Sequence, residues 1–338
     1  MKALETKNRL RTRNPNSGAS QSIKAEREGE ALLKFEVVQC FLLHRRGAAF
    51  SSRKTLAADY RLRSIISEFN FQAALYYLMQ TEDYAYLYAL EEDFWWFTGM
   101  REITATLLDP FCPTGQDRLI LDAGCGTGGN LVWLKRYAGN GTVVGIDLVA
   151  DALGFCRQRP DQHLAQASAT DLPFSSESFD LVTSFDVWEQ LPGEWSDFQA
   201  MREMHRVLRP NGICFVRVPA YEWMRSGHDV ALATQRRYTL KRLKQRMERA
   251  GFNILRATYA NTLLLPLAML RRLVLKRIKL SDAGSDVKPL PPQLQLMNRA
   301  FTRVLHGEAR LLRSPKAKLP AGLSAICIAQ KAPAEREN

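Results

Sequence analysis

LDAGCGTGGN, residues 121–130, leaves an apolar strand and opens a helix. The run before it, RLILD (118–122), is short, apolar and ends in an acid, and the run after it, NLVWLKRYA (130–138), has helical spacing. Between them Gly124, Gly126 and Gly128 let the chain turn sharply and bring bare backbone up to a ligand. The helix that follows presents N–H groups with no partner inside the helix. A strand, a glycine turn and a helix in this order predict the first crossover of a parallel sheet.

The same alternation continues downstream. GTVVGID (141–147), HLAQA (163–167), FDLVTSF (179–185), GICFVRVP (212–219), FNILRATY (252–259) and GLSAICIAQK (322–331) read as strands. LVADALGFCRQR (148–159), a segment around 196–208 closed by RPNG (209–212), and 239–250 stopped by Gly251 read as helices. Strands separated by helices of this length predict an α/β fold, doubly wound, with helices on both faces of a mostly parallel sheet.

Acids sit at the ends of these strands. Asp122 closes the first, Asp147 closes the second about twenty residues after the glycine turn, and Asp171 lies in ATDLPFSSESFD before the fourth. Gly124, Gly126 and Gly129 also fit a dinucleotide fingerprint, so the glycines alone leave two ligands open. A pyrophosphate would be repelled by Asp122, whereas the ammonium of a methionine moiety would be attracted. Asp147 is placed to accept ribose hydroxyls, and Asp171 to accept the exocyclic amine of adenine. Together the three carboxylates point to S-adenosylmethionine.

With those residues in view, the sequence resembles the class I, Rossmann-like methyltransferases, in particular the small-molecule enzymes with a DLPF adenine loop. LDAGCGTG, GID, DLPF…FD and SFDVWEQL carry the likeness, which spans about residues 84–331. The resemblance implies a seven-stranded sheet of order 3-2-1-4-5-7-6 with the last strand antiparallel. It also implies cofactor contacts from Asp122, Gly124, Cys125, Gly126, Gly128, Asp147, Leu148, Thr170, Asp171 and Asp186. Where related chains often read Glu-His-Leu, this one has Glu189-Gln190-Leu191, and Gln190 cannot titrate. FWWFTGMRE (94–102), VPAYEWMRSGHD (218–229), RRYT (236–239) and YANTLLLP (259–266) resemble a bacterial subgroup that has His where Thr234 stands.

A methyl sulfonium is already activated, so the enzyme's task is alignment, with a base if the acceptor is a hydroxyl. His228 and Asp229, in the loop after the fifth strand, are the candidates for that base or for positioning the acceptor. Trp96, Tyr221, Arg236, Arg237 and Tyr238 are the candidates for acceptor binding; for the arginines, pairing with an acid at a helix start is an equal reading. Arg101 stands to meet either the cofactor carboxylate or an acidic side chain. No histidine spacing suggests a metal. The acceptor is expected to be a small or lipid-linked molecule methylated on oxygen. A nucleic-acid methyltransferase, a nicotinamide-dependent oxidoreductase and a non-catalytic adenosylmethionine-binding protein are the alternatives. Against the first of these, Ser184-Phe185-Asp186-Val187 lacks the Asn/Asp-Pro-Pro-aromatic motif that grips a base amine.

The net charge of +12 is uneven. Residues 1–80 carry 14 basic and 7 acidic side chains, 81–220 carry 10 and 20, and 221–338 carry 23 and 8. Basic flanks around an acidic middle suit either an anionic partner or solvated faces. Residues 1–80 read as a basic extension, partly disordered, or as an over-extended start upstream of Met79. The methyltransferase-like domain is expected over 81–331, with a helical insertion at 260–320 and a tail at 332–338. Within the insertion, Leu263, Leu267, Leu270, Val274 and Ile278 share one helical stripe. That stripe is expected to cover the acceptor pocket; the second reading is a helix on a membrane surface. Six scattered cysteines, with no Cys-x-x-Cys pair, fit buried thiols in a reducing, cytoplasmic setting.

Overall fold

A computed structural model describes residues 81–227, 229, 232–277 and 295–333. The extension at 1–80, His228 and the connector at 278–294 lie outside the described residues.

Two helices come first, α1 (Thr81–Leu90) and α2 (Trp95–Leu108). The sheet then begins with β1 (Leu119–Ala123), followed by α3 (Gly129–Leu134), β2 (Thr142–Asp147), α4 (Ala150–Cys156) and β3 (His163–Gln166). β4 (Phe179–Phe185), α5 (Ser196–Val207), β5 (Leu208–Pro219), α6 (Leu240–Arg249) and β6 (Phe252–Ala260) continue the alternation. The insertion supplies α7 (Leu265–Arg277) and α8 (Gln295–Leu311) before β7 (Ser324–Lys331).

The sheet order is β3-β2-β1-β4-β5-β7-β6. β1 to β5 are parallel, and β7 runs antiparallel to both β5 and β6. The strands read as continuous apolar runs because both faces are covered. On one face Leu121, Val182, Cys214 and Val216 meet Met201 and Met204 of α5 and Leu243 and Met247 of α6. On the other, Ile120, Leu181 and Phe215 meet Met100, Ile103 and Leu107 of α2, Leu131 of α3 and Leu305 of α8. Each large side chain buried this way contributes roughly 1.5–3 kcal/mol. Chain order reverses at β1, whose neighbours are β2 and β4, so a crevice opens at the carboxyl ends of these strands.

Among the boundaries that differ from the sequence reading, two bear on the sheet. The helix expected over 130–138 is α-helical only to Leu134 and tightens into a 3-10 turn at Lys135–Tyr137. RPNG does not close α5 but belongs to β5, which already pairs at Leu208 with Phe179. The strand pairing slips between Phe179 and Leu181, which accommodates the extra residues. Asn211 sits there at φ 66°, a left-handed conformation that asparagine tolerates.

The insertion is anchored at one corner. Asn261, at φ 59°, turns the chain from β6 toward α7. Fully buried Glu308 of α8 accepts from the backbone N–H groups of Asn261, Thr262 and Leu263 at 2.5, 2.7 and 3.0 Å. The described part of the apolar stripe faces outward: Leu263, Leu267 and Leu270 are 49, 50 and 59% exposed. The expectation that these three leucines cover an acceptor pocket is therefore corrected; Leu264, at 8%, is the side chain this corner buries.

Candidate functional site

The glycine turn is held open by its own backbone. Gly124 and Gly128 adopt φ of 92° and 85°, which L side chains rarely reach, and a Cβ on Gly124 would run into Val187. Cys125, buried beneath the turn, donates its backbone N–H to Ile146, so the loop is tied to the end of β2. Asp147 reinforces that tie: one carboxylate oxygen accepts from Gly126 N and the other from Val149 N, both at 2.9 Å. Each oxygen keeps a further acceptor site. Leu148, next in the chain, is 56% exposed.

Asp122 is different. It is 1% exposed, and Oδ1 accepts from the Thr183 hydroxyl at 2.7 Å on the adjacent strand. Oδ2 is buried with no hydrogen-bond partner. Burial, with a smaller contribution from the nearby Asp147 charge, pushes the carboxyl up to about 7. Arg101 of α2 shows the complementary defect. Its Nε reaches Asn130 Oδ1 at 3.4 Å, while Nη2 is buried and unpartnered. An unsatisfied buried acceptor and an unsatisfied buried donor both belong to the neighbourhood of the turn.

Two acids in this neighbourhood are committed. Glu91, from the junction of α1 and α2, accepts from Gly129 N at 2.9 Å and from Arg159 at 2.7 Å. Asp186, at φ 56°, accepts from Arg217 Nε and Nη2 at 2.9 and 2.6 Å. The Arg217 guanidinium, 4.6 Å from the Trp96 ring centroid, brings that predicted residue to the same edge. Trp95 instead turns to α8, where it meets Phe301 edge-on. The aromatic run thus divides between core and site. Tyr84 of α1 is 7% exposed and lies near Asp147, whose charge raises its hydroxyl pKa further after burial.

Asp171 follows β3 and is exposed; its backbone bridges back to Ser168, and the Thr170 and Ser168 hydroxyls bond at 2.8 Å. The acceptor candidates fall into two groups. Tyr221, at φ 59°, stacks between Trp223 and Tyr259 with centroids 5.6 and 5.2 Å away, and Trp223 is 57% exposed. The others are walls. Asp229 is 1% exposed, locked onto Arg237 at 2.6 and 3.1 Å and onto Ser226 N at 2.7 Å. Arg236 donates to the carbonyls of Leu191 and Gly193, and the fully buried Tyr238 hydroxyl bonds Asp197 at 2.7 Å. These four side chains have their polar groups spent on holding the loop, so the expected acceptor-facing role gives way to a supporting one. His228 lies outside the described residues. A surface cavity of about 200 Å³ beside Lys135, Thr142 and His163 sits at the amino ends of β2 and β3, away from every predicted site residue.

Residues 121–216 match the family described as a methyltransferase domain. This stretch, from the end of β1 into β5, is similar to that domain. Among relatives, it is 33% identical over 125 residues to the fatty-acid O-methyltransferase of Mycolicibacterium smegmatis, covering 35% of this chain and 44% of that protein. It is 39% identical over 106 residues to the malonyl-[acyl-carrier protein] O-methyltransferase of Enterobacter lignolyticus, covering 30% and 39%. A probable S-adenosylmethionine-dependent methyltransferase of M. smegmatis is 30% identical over 168 residues, 49% of this chain and 62% of that one. The matches thus span from 39 to 62% of these relatives' own length.

The structure adds to the site three groups that reading the sequence did not assign: Glu91, Arg159 and Arg217. Their partners lie 68 and 31 residues away, and no local spacing announces such pairs. The one available signal was a charged residue inside an apolar strand, Arg217 in ICFVRVP.

Proposed function

We propose that this chain moves the methyl group of S-adenosylmethionine to an oxygen of a small-molecule or lipid-linked acceptor. The observation that carries the reading is the unpartnered, buried Oδ2 of Asp122 beside the glycine turn. Leaving such an acceptor unsatisfied is costly, and a cationic donor relieves it. An ammonium does so; a pyrophosphate does not. The cradle fits the rest of the ligand as well: no side chain at Gly124 or Gly126 obstructs the turn, and Asp147 retains acceptor capacity for ribose hydroxyls. Arg101 Nη2 suits the carboxylate end, and Asp171 the adenine amine. When bound, S-adenosylmethionine supplies an activated methyl group on a sulfonium. The residues of this chain then fix the donor's two ends and shield the crevice from water through α1 and α2.

An oxygen acceptor is favoured by the named O-methyltransferases among the relatives. A lipid-linked one is supported by the outward leucines of α7, which suit contact with the apolar boundary of a membrane. Among the described residues no helix is long and apolar enough to cross a membrane. We place the enzyme in the cytoplasm, peripheral to the inner face of the membrane.

The test has two stages. S-adenosylhomocysteine should raise the melting temperature and NAD should not. Transfer from methyl-labelled donor is then scored against free fatty acids, hydroxylated lipids, small phenols and RNA. Stabilisation by NAD alone would make the chain an oxidoreductase, incorporation into RNA alone would make it a nucleic-acid enzyme, and binding without transfer would make it a sensor.

A further inference from the structure

Glu189 stands four residues beyond the tip of β4, in the segment whose Val187 packs on Gly124. It is 3% exposed, and its Oε2 has no hydrogen-bond partner. Its backbone carbonyl accepts from Gln235 and Arg236 N–H groups at 2.6 and 3.3 Å, which pins the residue in place. Two guanidiniums lie within electrostatic reach, Arg217 and Arg237. Both are committed elsewhere, Arg217 to Asp186 and Arg237 to Asp229. Glu189 is therefore a buried carboxyl flanked by two closed ion pairs, with one oxygen left over. Asp229 cannot take its place, because both of its oxygens are held by Arg237 and Ser226, and the Oδ2 of Asp186 is held by Arg217.

We propose that Glu189 is the catalytic residue that receives the proton of a hydroxyl acceptor. The inference rests on the methyl-transfer reading. In the step, the acceptor's O–H bond breaks and its oxygen bonds the methyl carbon. The electron pair of the carbon–sulfur bond returns to sulfur, and the proton passes to Oε2 of Glu189. Burial and the neighbouring Asp186 charge raise the pKa of this carboxyl, which makes it a better proton acceptor than an exposed glutamate. Its neighbours Arg217 and Arg237, each already neutralised, do not undo that.

The probe is the best acceptor from a screen of hydroxylated and carboxylated lipids and small molecules with methyl-labelled donor. With a hydroxyl acceptor, Glu189→Gln should lower kcat at least 100-fold while the Kd for S-adenosylhomocysteine stays within twofold. Glu189→Asp, which keeps a carboxyl one methylene shorter, should recover part of the loss. Equal kcat in wild type and Glu189→Gln overturns the proposal. So does a best acceptor that is a carboxylate, which has no proton to give. If Glu189→Gln fails to bind S-adenosylhomocysteine and Glu189→Asp is as slow as a variant without a carboxyl, the residue is structural and the proposal again fails. Absence of any acceptor, with ligand binding intact, counts against the methyl-transfer reading and with it against this role.

Discussion

Replacing Asp122 by Asn separates two consequences of one buried carboxylate. The amide is isosteric and its oxygen still accepts from the Thr183 hydroxyl, but it carries no charge to bury. In the free protein the folded-state pKa of Asp122 is raised from 3.8 to about 7. The folded chain therefore holds a proton that the unfolded chain has lost between those values, and stability falls as pH rises through this window. The penalty is absent below about pH 4 and complete above about 7, where it amounts to roughly 4 kcal/mol as an upper estimate. Asp122→Asn escapes it, so the variant should be the more stable protein at pH 8. Its advantage should shrink by roughly 2–3 kcal/mol on going to pH 5. Ligand binding should move the other way. Loss of a charge-assisted bond to the ammonium, about 1.5–3 kcal/mol, weakens S-adenosylhomocysteine about 10- to 150-fold. 5′-Methylthioadenosine, which lacks the amino-acid end, should bind both proteins alike. Urea unfolding at several pH values and titration calorimetry measure the two effects. A variant that is destabilised at pH 8 and binds S-adenosylhomocysteine within threefold of wild type would refute the reasoning.

Three further perturbations follow. Glu308→Ala strands three backbone N–H groups at the corner between β6 and α7, and should cost about 3–5 kcal/mol of unfolding free energy by urea titration; a loss under 1 kcal/mol would contradict the anchoring role. Gly124→Ala forces a left-handed residue against Val187, and should abolish measurable S-adenosylhomocysteine binding while lowering stability by about 1–3 kcal/mol; unchanged calorimetric affinity would contradict the close-approach argument. The double variant Leu267→Glu, Leu270→Glu should lose co-flotation with vesicles containing anionic phospholipid, while its S-adenosylhomocysteine affinity is retained; flotation equal to wild type would remove α7 as the contact.

The sequence carried the order of elements because each strand and helix keeps its own period, and the glycine turn because Gly124, Gly126 and Gly128 fall within five residues between a strand and a helix. Asp122 was legible for the same reason: it is the residue at which an apolar strand meets the turn. What stayed hidden was which side chains pair once the loops and helices fold together. Arg237 read as an acceptor ligand or as the partner of an acid, and only the folded loop shows Asp229 on it. Tyr238 looked available in RRYT, but α5 brings Asp197 under its hydroxyl, where Arg236 and Arg246 also converge. The stripe of α7 was visible in the spacing of its leucines. Its direction was not, because an amphipathic pattern says that one face differs and not what that face meets. Glu189 was read only as part of a motif and given no role, because burial of a charge depends on neighbours that the sequence does not show.

The most direct measurement is a crystal structure of the chain with S-adenosylhomocysteine. The homocysteine ammonium should lie within hydrogen-bond distance of Asp122 Oδ2, the ribose hydroxyls on Asp147 and the adenine amine toward Asp171. A ligand seated elsewhere, or one that leaves the Asp122 carboxylate unpartnered, would contradict the assignment of this crevice to an adenosyl sulfonium.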